Sequence, residues 1–126
     1  MSMIDDIADY IDSNTSYTVG TNIFEDRVPG SPINCIVVRD TGGSELDGDD
    51  TAKLKRPTFQ VYVRNTSHST GEALIRSIKT LLHEVIETDI GNTHFLNIFA
   101  VSEPGHIGQD DAGNDEWTVN FTALTR

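Results

Sequence analysis

The apolar residues nearest the N-terminus recur with the spacing of an amphipathic helix. The positions i, i+3, i+4 and i+7, which share one helical face, are held by Ile4, Ile7, Ala8 and Ile11. Ser2 and Asp5 approximate a capping box, and acidic residues in a first turn suit the positive end of the helix dipole. The pattern predicts a helix over residues 3–13, which breaks in the polar run at residues 14–16.

Five later segments have the alternation or the β-branched composition of strands. They are residues 19–24, 33–39, 58–64, 95–101 and 116–123. In the second of these segments both faces are apolar, which predicts a central strand covered on both sides. The last segment predicts an inward row made of Trp117, Val119, Phe121 and Ala123.

A longer helical pattern separates the third strand from the fourth. Ser69 and Glu72 match a capping box, and the apolar seam that follows comprises Leu74, Ile78, Leu81 and Val85. The spacing predicts a helix from Ser69 to about Glu87, with Gly91 as a stop signal.

The order α-β-β-β-α-β-β predicts a single α+β domain over residues 1–126, with a mainly antiparallel sheet and two helices on one face. A chain of 126 residues fits one domain, and such a domain buries about two-thirds of its unfolded surface. Because two helices are few for five strands, the other face of the sheet is expected to lack cover. Its outward row in the third strand is Thr58, Gln60 and Tyr62, and a neighbouring subunit is the expected cover.

Charge adds to this picture because it is unevenly distributed. The chain has 20 acidic and 9 basic residues, a formal net charge of −11. This argues against a protein that grips nucleic acid or an anionic membrane with its whole surface, since both are polyanions. Many carboxylates fall in two predicted long loops, residues 41–56 and 102–115, and long loops in compact domains are usually functional or disordered.

The first loop carries acidic residues followed by the only basic cluster of the chain. Two interpretations stay open: a solvated polar loop, or a charge-complementary contact between neighbouring subunits of a ring. The candidate assembly residues in the two loops and the adjoining strand are Asp47, Asp49, Asp50, Lys53, Lys55, Arg56, Tyr62, Arg64, Glu103, Asp110 and Asp111.

Motifs for catalysis or for cofactors are not found in the sequence. The single Cys35 lies in an apolar run and is expected to be a small buried hydrophobe. The histidines, none with a partner at metal-motif spacing, are His68, His83, His94 and His106. A calcium-loop pattern that starts at Asp47 fails because Ala52 stands where glycine is required. We therefore expect no enzyme, no cofactor and no built metal site, although an acidic catalytic pair and adventitious divalent binding stay open.

The N-terminal segment is acidic, which is the wrong charge for a secretory leader, and no apolar stretch reaches the length of a membrane span. We expect a soluble protein without membrane contact, made in a reducing cytoplasm.

Several segments taken in order resemble a known family. They are Asp6-Ile7-Ala8-Asp9-Tyr10-Ile11, residues 18–24, Pro29-x-Ser31-Pro32-x-x-Cys35-Ile36, Asp40-Thr41-Gly42-Gly43 and, above all, Arg56-Pro57-Thr58-Phe59-Gln60-Val61-Tyr62-Val63-Arg64. This pattern is similar to that of the tailed-bacteriophage minor capsid protein or tail terminator family. The resemblance covers nearly the whole chain and is weakest after Gly91.

The resemblance implies a small α+β structural protein of the virion, assembled in the host cytoplasm and placed at the head–tail junction. Such proteins close a six-membered ring on the tail tube, stop polymerisation of the major tail protein and offer a docking face to head-completion proteins. Genome DNA passes through the lumen without specific binding, and no catalytic residues come with the family.

Two other functions remain as alternatives at this stage. One is a head-proximal connector or stopper protein, which belongs to the same structural class. The other is a small α+β hydrolase or ligand-binding domain, which predicts a deep pocket with perturbed carboxylates.

Overall fold

A computed structural model describes residues 2–45 and 54–126, and in these residues it contains two helices and seven strands. The helices are α1 (Met3–Asn14) and α2 (His68–Leu82). The strands are β1 (Ile23–Glu25), β2 (Cys35–Glu45), β3 (Lys55–Asn65), β4 (Val85–Ile90), β5 (Thr93–Ala100), β6 (Gly105–Gln109) and β7 (Asp115–Thr125). Neither of these helices has the length and apolar content needed to cross a bilayer.

All the strands belong to one sheet with the order β1-β2-β3-β7-β5-β4, and β6 pairs with β7 beside β5. Every pairing is antiparallel except that of β1 with β2. Both helices pack against the same side of the sheet, where they share one core with the inward residues of the strands. The predicted α+β class, with a mainly antiparallel sheet and two helices on one face, is confirmed.

The first helix forms as its sequence predicts. Ser2 Oγ accepts from the Asp5 backbone N–H at 3.3 Å, and the Ser2 N–H donates to Asp5 Oδ2 at 2.8 Å, which completes the capping box. The four apolar residues of its stripe are all buried in the core. The helix extends to Asn14, one residue beyond the predicted end.

The central strands also follow the predicted alternation. The inward row of β7 is buried, and Phe59 of β3 stacks on Phe121 of β7 with ring centroids 5.0 Å apart. β2 lies between β1 and β3, and it is buried on both faces over Cys35–Val38. Local periodicity was sufficient here because each side chain keeps one orientation along a regular strand.

The second helix ends at Leu82, before the predicted Glu87, and residues 85–90 form β4 instead. The helix breaks at His83, whose backbone is extended, and the Glu84 N–H donates to the Ile98 carbonyl at 2.8 Å. Val85 still packs against the core, so the apolar seam continues on a strand. The other end also differs, because Ser67 caps α2 through a 3.3 Å bond from the Thr70 N–H to its Oγ.

β4 is irregular at Glu87, whose φ is +47°. Ile86 pairs with Asn97 and Thr88 pairs with Phe95, so the register continues unchanged across Glu87. This strand and β1 are the two end strands of the sheet in the described part of the chain.

Both predicted long loops contain strand. Residues 41–45 and 55–57 extend the β2–β3 pair, with a register shift between Asp40 and Gly42. Gly42 lies at this irregularity, a common use of glycine within strands. In the second loop, residues 105–109 form β6. The first predicted strand is shorter than expected, since only Ile23 and Phe24 of residues 19–24 belong to β1.

Candidate assembly surface

The side of the sheet opposite the helices is the candidate assembly surface, and we call it the open face. By strand register it comprises Thr58, Gln60, Ile86, Asn97, Phe99, Thr118, Asn120, Thr122 and Leu124. In β3 and β7 the residues between them point into the core shared with the helices. No described helix packs on the open face, so these side chains are half-buried or exposed.

Part of this side, however, is covered by the chain itself. Tyr62 is only 2% exposed, and it packs with Cys35 and Val37 under Phe24 and Val28. Tyr62 lies on the same side of the sheet as Thr58 and Gln60, as expected, but the expectation that it awaits cover from a neighbouring subunit is wrong. The covering residues lie in β1 and just after it, and the sequence analysis did not predict this cover.

Arg64 fixes this covering segment. Its Nε donates to the Ile33 carbonyl at 2.8 Å, and its Nη2 donates to the carbonyls of Pro29 and Pro32 at 2.7 and 3.0 Å. The guanidinium is thus buried among backbone acceptors, which satisfies a charge that would otherwise be costly to bury. The guanidinium of Arg64 is therefore bound within its own chain, where it holds the covering segment in place.

Tyr62 is held at its polar end as well. Its hydroxyl donates to Glu116 Oε2, and the guanidinium carbon of Arg39 lies 4.8 Å from the centre of its ring. Burial and the neighbouring Glu116 raise the pKa of Tyr62, so the phenol stays protonated. The ring closes one end of the open face.

A row of polar side chains crosses the open face from β2 to β7. Arg39 Nη1 donates to Gln60 Oε1 at 3.1 Å, and Gln60 Nε2 donates to Asn120 Oδ1 at 3.1 Å. These bonds orient the side chains before any partner arrives. A preformed polar row gives an interface directional specificity at low ordering cost.

Apolar residues lie on the same face as this polar row. Phe99 of β5, close to the row, is 36% exposed, and Ile86 of β4, farther along the face, is 59% exposed. Val101 follows β5, is 62% exposed, and its N–H donates to the Asn120 carbonyl at 2.9 Å. Several exposed large apolar side chains near one polar row are typical of a protein-binding surface.

The structure describes only two residues of the predicted basic and acidic cluster in the first loop. Lys55 is exposed and Arg56 is half-buried at the start of β3, with Glu45 and Ser44 opposite in the β2 register. Asp47, Asp49, Asp50 and Lys53 lie outside the described residues. The predicted contact of acidic with basic residues of a neighbour stays a prediction.

The acidic candidates of the second loop have contacts within the chain. Glu103 Oε1 lies 3.3 Å from Lys79 Nζ of α2. Asp110 Oδ1 accepts from the N–H groups of Ala112 and Asn114 at 3.0 and 2.9 Å, which shapes the β6–β7 turn. Hydrogen bonds from Asn114 hold the pKa of Asp110 below its ordinary value. Asp111 is exposed on the same turn.

Sequence reasoning missed two clusters that the fold assembles. The first is a carboxyl pair, Asp5 of α1 and Glu25 of β1, which the packing of α1 beside β1 brings together. The second joins His68, His106 and Asp115. Neither has a local sequence signature, because each depends on contacts between distant segments.

We expect the Glu25→Gln variant to be more stable than the unsubstituted chain at pH 8 and about equally stable at pH 4. Burial, then Asp5 and other nearby carboxylates, raise the pKa of Glu25 to about 7. The folded state therefore binds the proton more tightly than the unfolded state. The resulting stability is present at low pH and is lost as the pH rises through about 7.

The measurement is the melting temperature of both chains between pH 4 and 8. Asp111→Asn, which removes one exposed negative charge elsewhere, serves as the control. A Glu25→Gln effect that does not grow with pH, or that Asp111→Asn reproduces, would contradict the expectation.

Comparison with known proteins gives a family and a fold. Residues 10–125 match the family model described as bacteriophage tail terminator protein. A chain from the virion of a native gene transfer agent particle is similar at 13% identity and a TM-score of 0.67, over 98% of this chain and 94% of that one. A second solved structure is similar at 12% identity and a TM-score of 0.63, over 99% and 97%. A search of curated proteins gives no match.

Proposed function

This chain belongs to the bacteriophage tail terminator family, and we propose that it closes the end of the phage tail tube as a ring of identical subunits. As a member of that family it is a structural protein of the phage tail. The ring, proposed as a hexamer, ends polymerisation of the major tail protein. Its other side receives a head-completion protein, which places the ring at the head–tail junction of the virion.

The open face is the observation that carries this proposal. In the described chain the helices cover one side of the sheet, while the other side has a preformed polar row and the exposed apolar side chains of Phe99, Ile86 and Val101. Such a surface supplies both the apolar area and the directed hydrogen bonds of a specific interface. Burying it between neighbouring subunits would complete the sheet's second layer.

A ring follows from the kind of contact that this surface makes. If the open face of one subunit meets a different surface of the next, the contact is head-to-tail, and such contacts close into a ring when the rotation permits. Tube growth stops because one side of the ring matches the tube end and the other side does not. No catalytic step is required.

The charge of the chain supports passage of DNA through the ring. Duplex DNA carries about one negative charge per 1.7 Å, and the chain itself has a net charge of −11. In our proposal, acidic side chains such as Asp110 and Asp111 of the β6–β7 turn face the lumen, so that the genome slides without binding.

Electron microscopy of the purified chain, alone and mixed with tail tubes, tests the proposal. We expect rings, a ring at tube ends, and no further growth of capped tubes when tube subunits are added. A permanent monomer that never decorates tube ends would contradict the proposal. Decoration of isolated heads and not of tubes would instead identify a head-proximal connector.

Reversing the described basic residues, in Lys55→Glu/Arg56→Glu, is expected to reduce the fraction of chain in rings. Removing the positive charge eliminates the proposed attraction to acidic residues of the neighbouring subunit and adds repulsion. Sedimentation at two salt concentrations measures the change, since high salt screens the contact and reduces the difference.

The matched control is Arg27→Glu/Arg76→Glu, which alters two exposed arginines and changes the net charge equally. Equal ring content for both double variants would refute a specific role of Lys55 and Arg56.

A further inference from the structure

Three side chains that can ligate a metal converge at the N-terminal end of α2. His106 Nε2 lies 2.8 Å from Asp115 Oδ1. One ligand atom from each of His68, His106 and Asp115 lies within 4.8 Å of the other two. Distant backbone segments bring them together: His68 begins α2, His106 lies opposite Trp117 in the β6–β7 pair, and Asp115 begins β7.

Trp117 forms the floor of this cluster. Its ring centre lies 4.6 Å from that of His106 and 5.0 Å from that of His68, and the two imidazole centres are 5.1 Å apart. The indole is buried, whereas both imidazoles are exposed, so the cluster is open to solvent on one side. Asp115 is only 5% exposed, which sets a carboxylate at the base of a solvent-accessible histidine pair.

We propose that His68, His106 and Asp115 bind one divalent transition-metal ion, with Zn²⁺ as the preferred ion. Two imidazoles and one carboxylate match the ligands of zinc, whereas Mg²⁺ and Ca²⁺ prefer sites made of oxygen ligands alone. Three protein ligands leave a coordination position for water. The buried carboxylate supplies the negative charge that a bare pair of exposed histidines lacks.

The distances are compatible with this assignment. Zinc bonds to nitrogen and oxygen are about 2.0–2.2 Å long, so tetrahedral ligand atoms lie about 3.4 Å apart. The most distant atoms of the cluster must approach by roughly 1 Å or a little more to reach that value. Rotation of the exposed imidazoles supplies this movement without displacing the buried Asp115 or Trp117.

The ion would join α2, β6 and β7. Of these, β6 is short, with five residues, and pairs with β7, and α2 packs on the sheet through side chains. A shared ion ties β6 and β7 to the first residue of α2. Because it binds the folded state, it also stabilises the fold by mass action.

Isothermal titration calorimetry of the full chain with ZnCl₂, and separately with MgCl₂, tests the proposal. We expect one Zn²⁺ per chain and no binding of Mg²⁺ at the same concentrations. His68→Asn and His106→Asn, both at exposed positions, are each expected to weaken Zn²⁺ binding on the order of a hundredfold or more. Loss of a residue that merely orients a ligand weakens metal binding by about 10- to 100-fold, and loss of a ligand itself should cost at least the upper value. Circular dichroism verifies that the variants remain folded.

His94→Asn is the matched control. His94 is also close to two carboxylates, with Nδ1 2.6 Å from Asp89 and Nε2 3.1 Å from Glu87. This cluster contains one imidazole, whereas the proposed site contains two. We expect this variant to retain Zn²⁺ affinity. Loss of binding in His94→Asn and not in His106→Asn would overturn the assignment.

Co²⁺ provides a readout that does not depend on affinity. Bound at the proposed site, it should show the intense visible absorption of four- or five-coordinate cobalt, and His106→Asn should abolish that absorption. Only the weak spectrum of six-coordinate aquated Co²⁺, or Zn²⁺ affinity that both histidine substitutions leave unchanged, would overturn the proposal. Either result would identify the contact between His106 and Asp115 as a hydrogen bond alone.

Discussion

Replacing Phe99 by aspartate is expected to leave the chain folded and to abolish ring formation. Phe99 is 36% exposed and borders the polar row of the open face. In the proposed ring it is buried against the next subunit, so the variant loses an aromatic contact and buries a charge. The expected cost is on the order of 2 kcal/mol or more at each interface, a roughly 30-fold weaker contact.

The effect on assembly exceeds that of one contact because every subunit of a ring contributes the same interface. Light scattering after size-exclusion chromatography measures the mass of the assembly, and thermal unfolding shows whether the monomer is intact. Ala73→Asp serves as the control, since it places the same charge on an exposed position of α2, on the opposite side of the sheet. Normal rings from Phe99→Asp, or equal loss of rings from Ala73→Asp, would contradict the assignment of the open face as the subunit interface.

The second large effect is expected from Gly91→Ala, which should destabilise the fold by about 2–4 kcal/mol. Gly91 joins β4 to β5 with a φ of +58°, which is unfavourable for alanine. A Cβ there would lie 2.1 Å from Asp6 Oδ1. Asp6 is fully buried and its Oδ2 accepts from Thr93 Oγ1 at 2.6 Å, so its carboxylate has little freedom to move aside.

Gly20→Ala separates the two contributions. Gly20 also has a positive φ, +86°, but a Cβ added there meets no atom within 4 Å. Its expected cost is the backbone strain alone, about 1 kcal/mol. Urea unfolding of both variants measures the difference, and similar free energies of unfolding would show that the Asp6 contact carries no weight.

The parts of the fold that sequence predicted are those that local periodicity determines. The stripe of α1 and the inward row of β7 are examples, because each rests on neighbours a few residues away. β4 is the contrary case. Leu81 and Val85 continue a helical spacing, yet the backbone leaves the helix at His83 because pairing with β5 supplies its hydrogen bonds. That pairing is invisible in a window around Val85.

The candidate site shows the same division. The sheet's uncovered side followed from counting helices against strands, whereas the burial of Tyr62 depends on a segment that Arg64 of β3 holds through backbone carbonyls distant in sequence. The clusters of Asp5 with Glu25 and of His68 with His106 also join residues far apart in sequence. Composition indicated that charge is important, but only the folded chain shows which charges meet.

The irregularity of β4 at Glu87 has a consequence for how such a protein avoids growing into fibres. End strands with free backbone groups recruit further chains, and bulges and charges are the usual protection. Here Glu87 has a positive φ within β4, and both Glu87 and Asp89 are exposed beside His94. In the proposed function, separate copies of the chain persist until a growing tube is complete, and this requires the end strand to be a poor template for pairing. The positive φ of Glu87 and the exposed charges thus make β4 a poor edge for addition of another chain, while the open face remains available for the proposed ring contact.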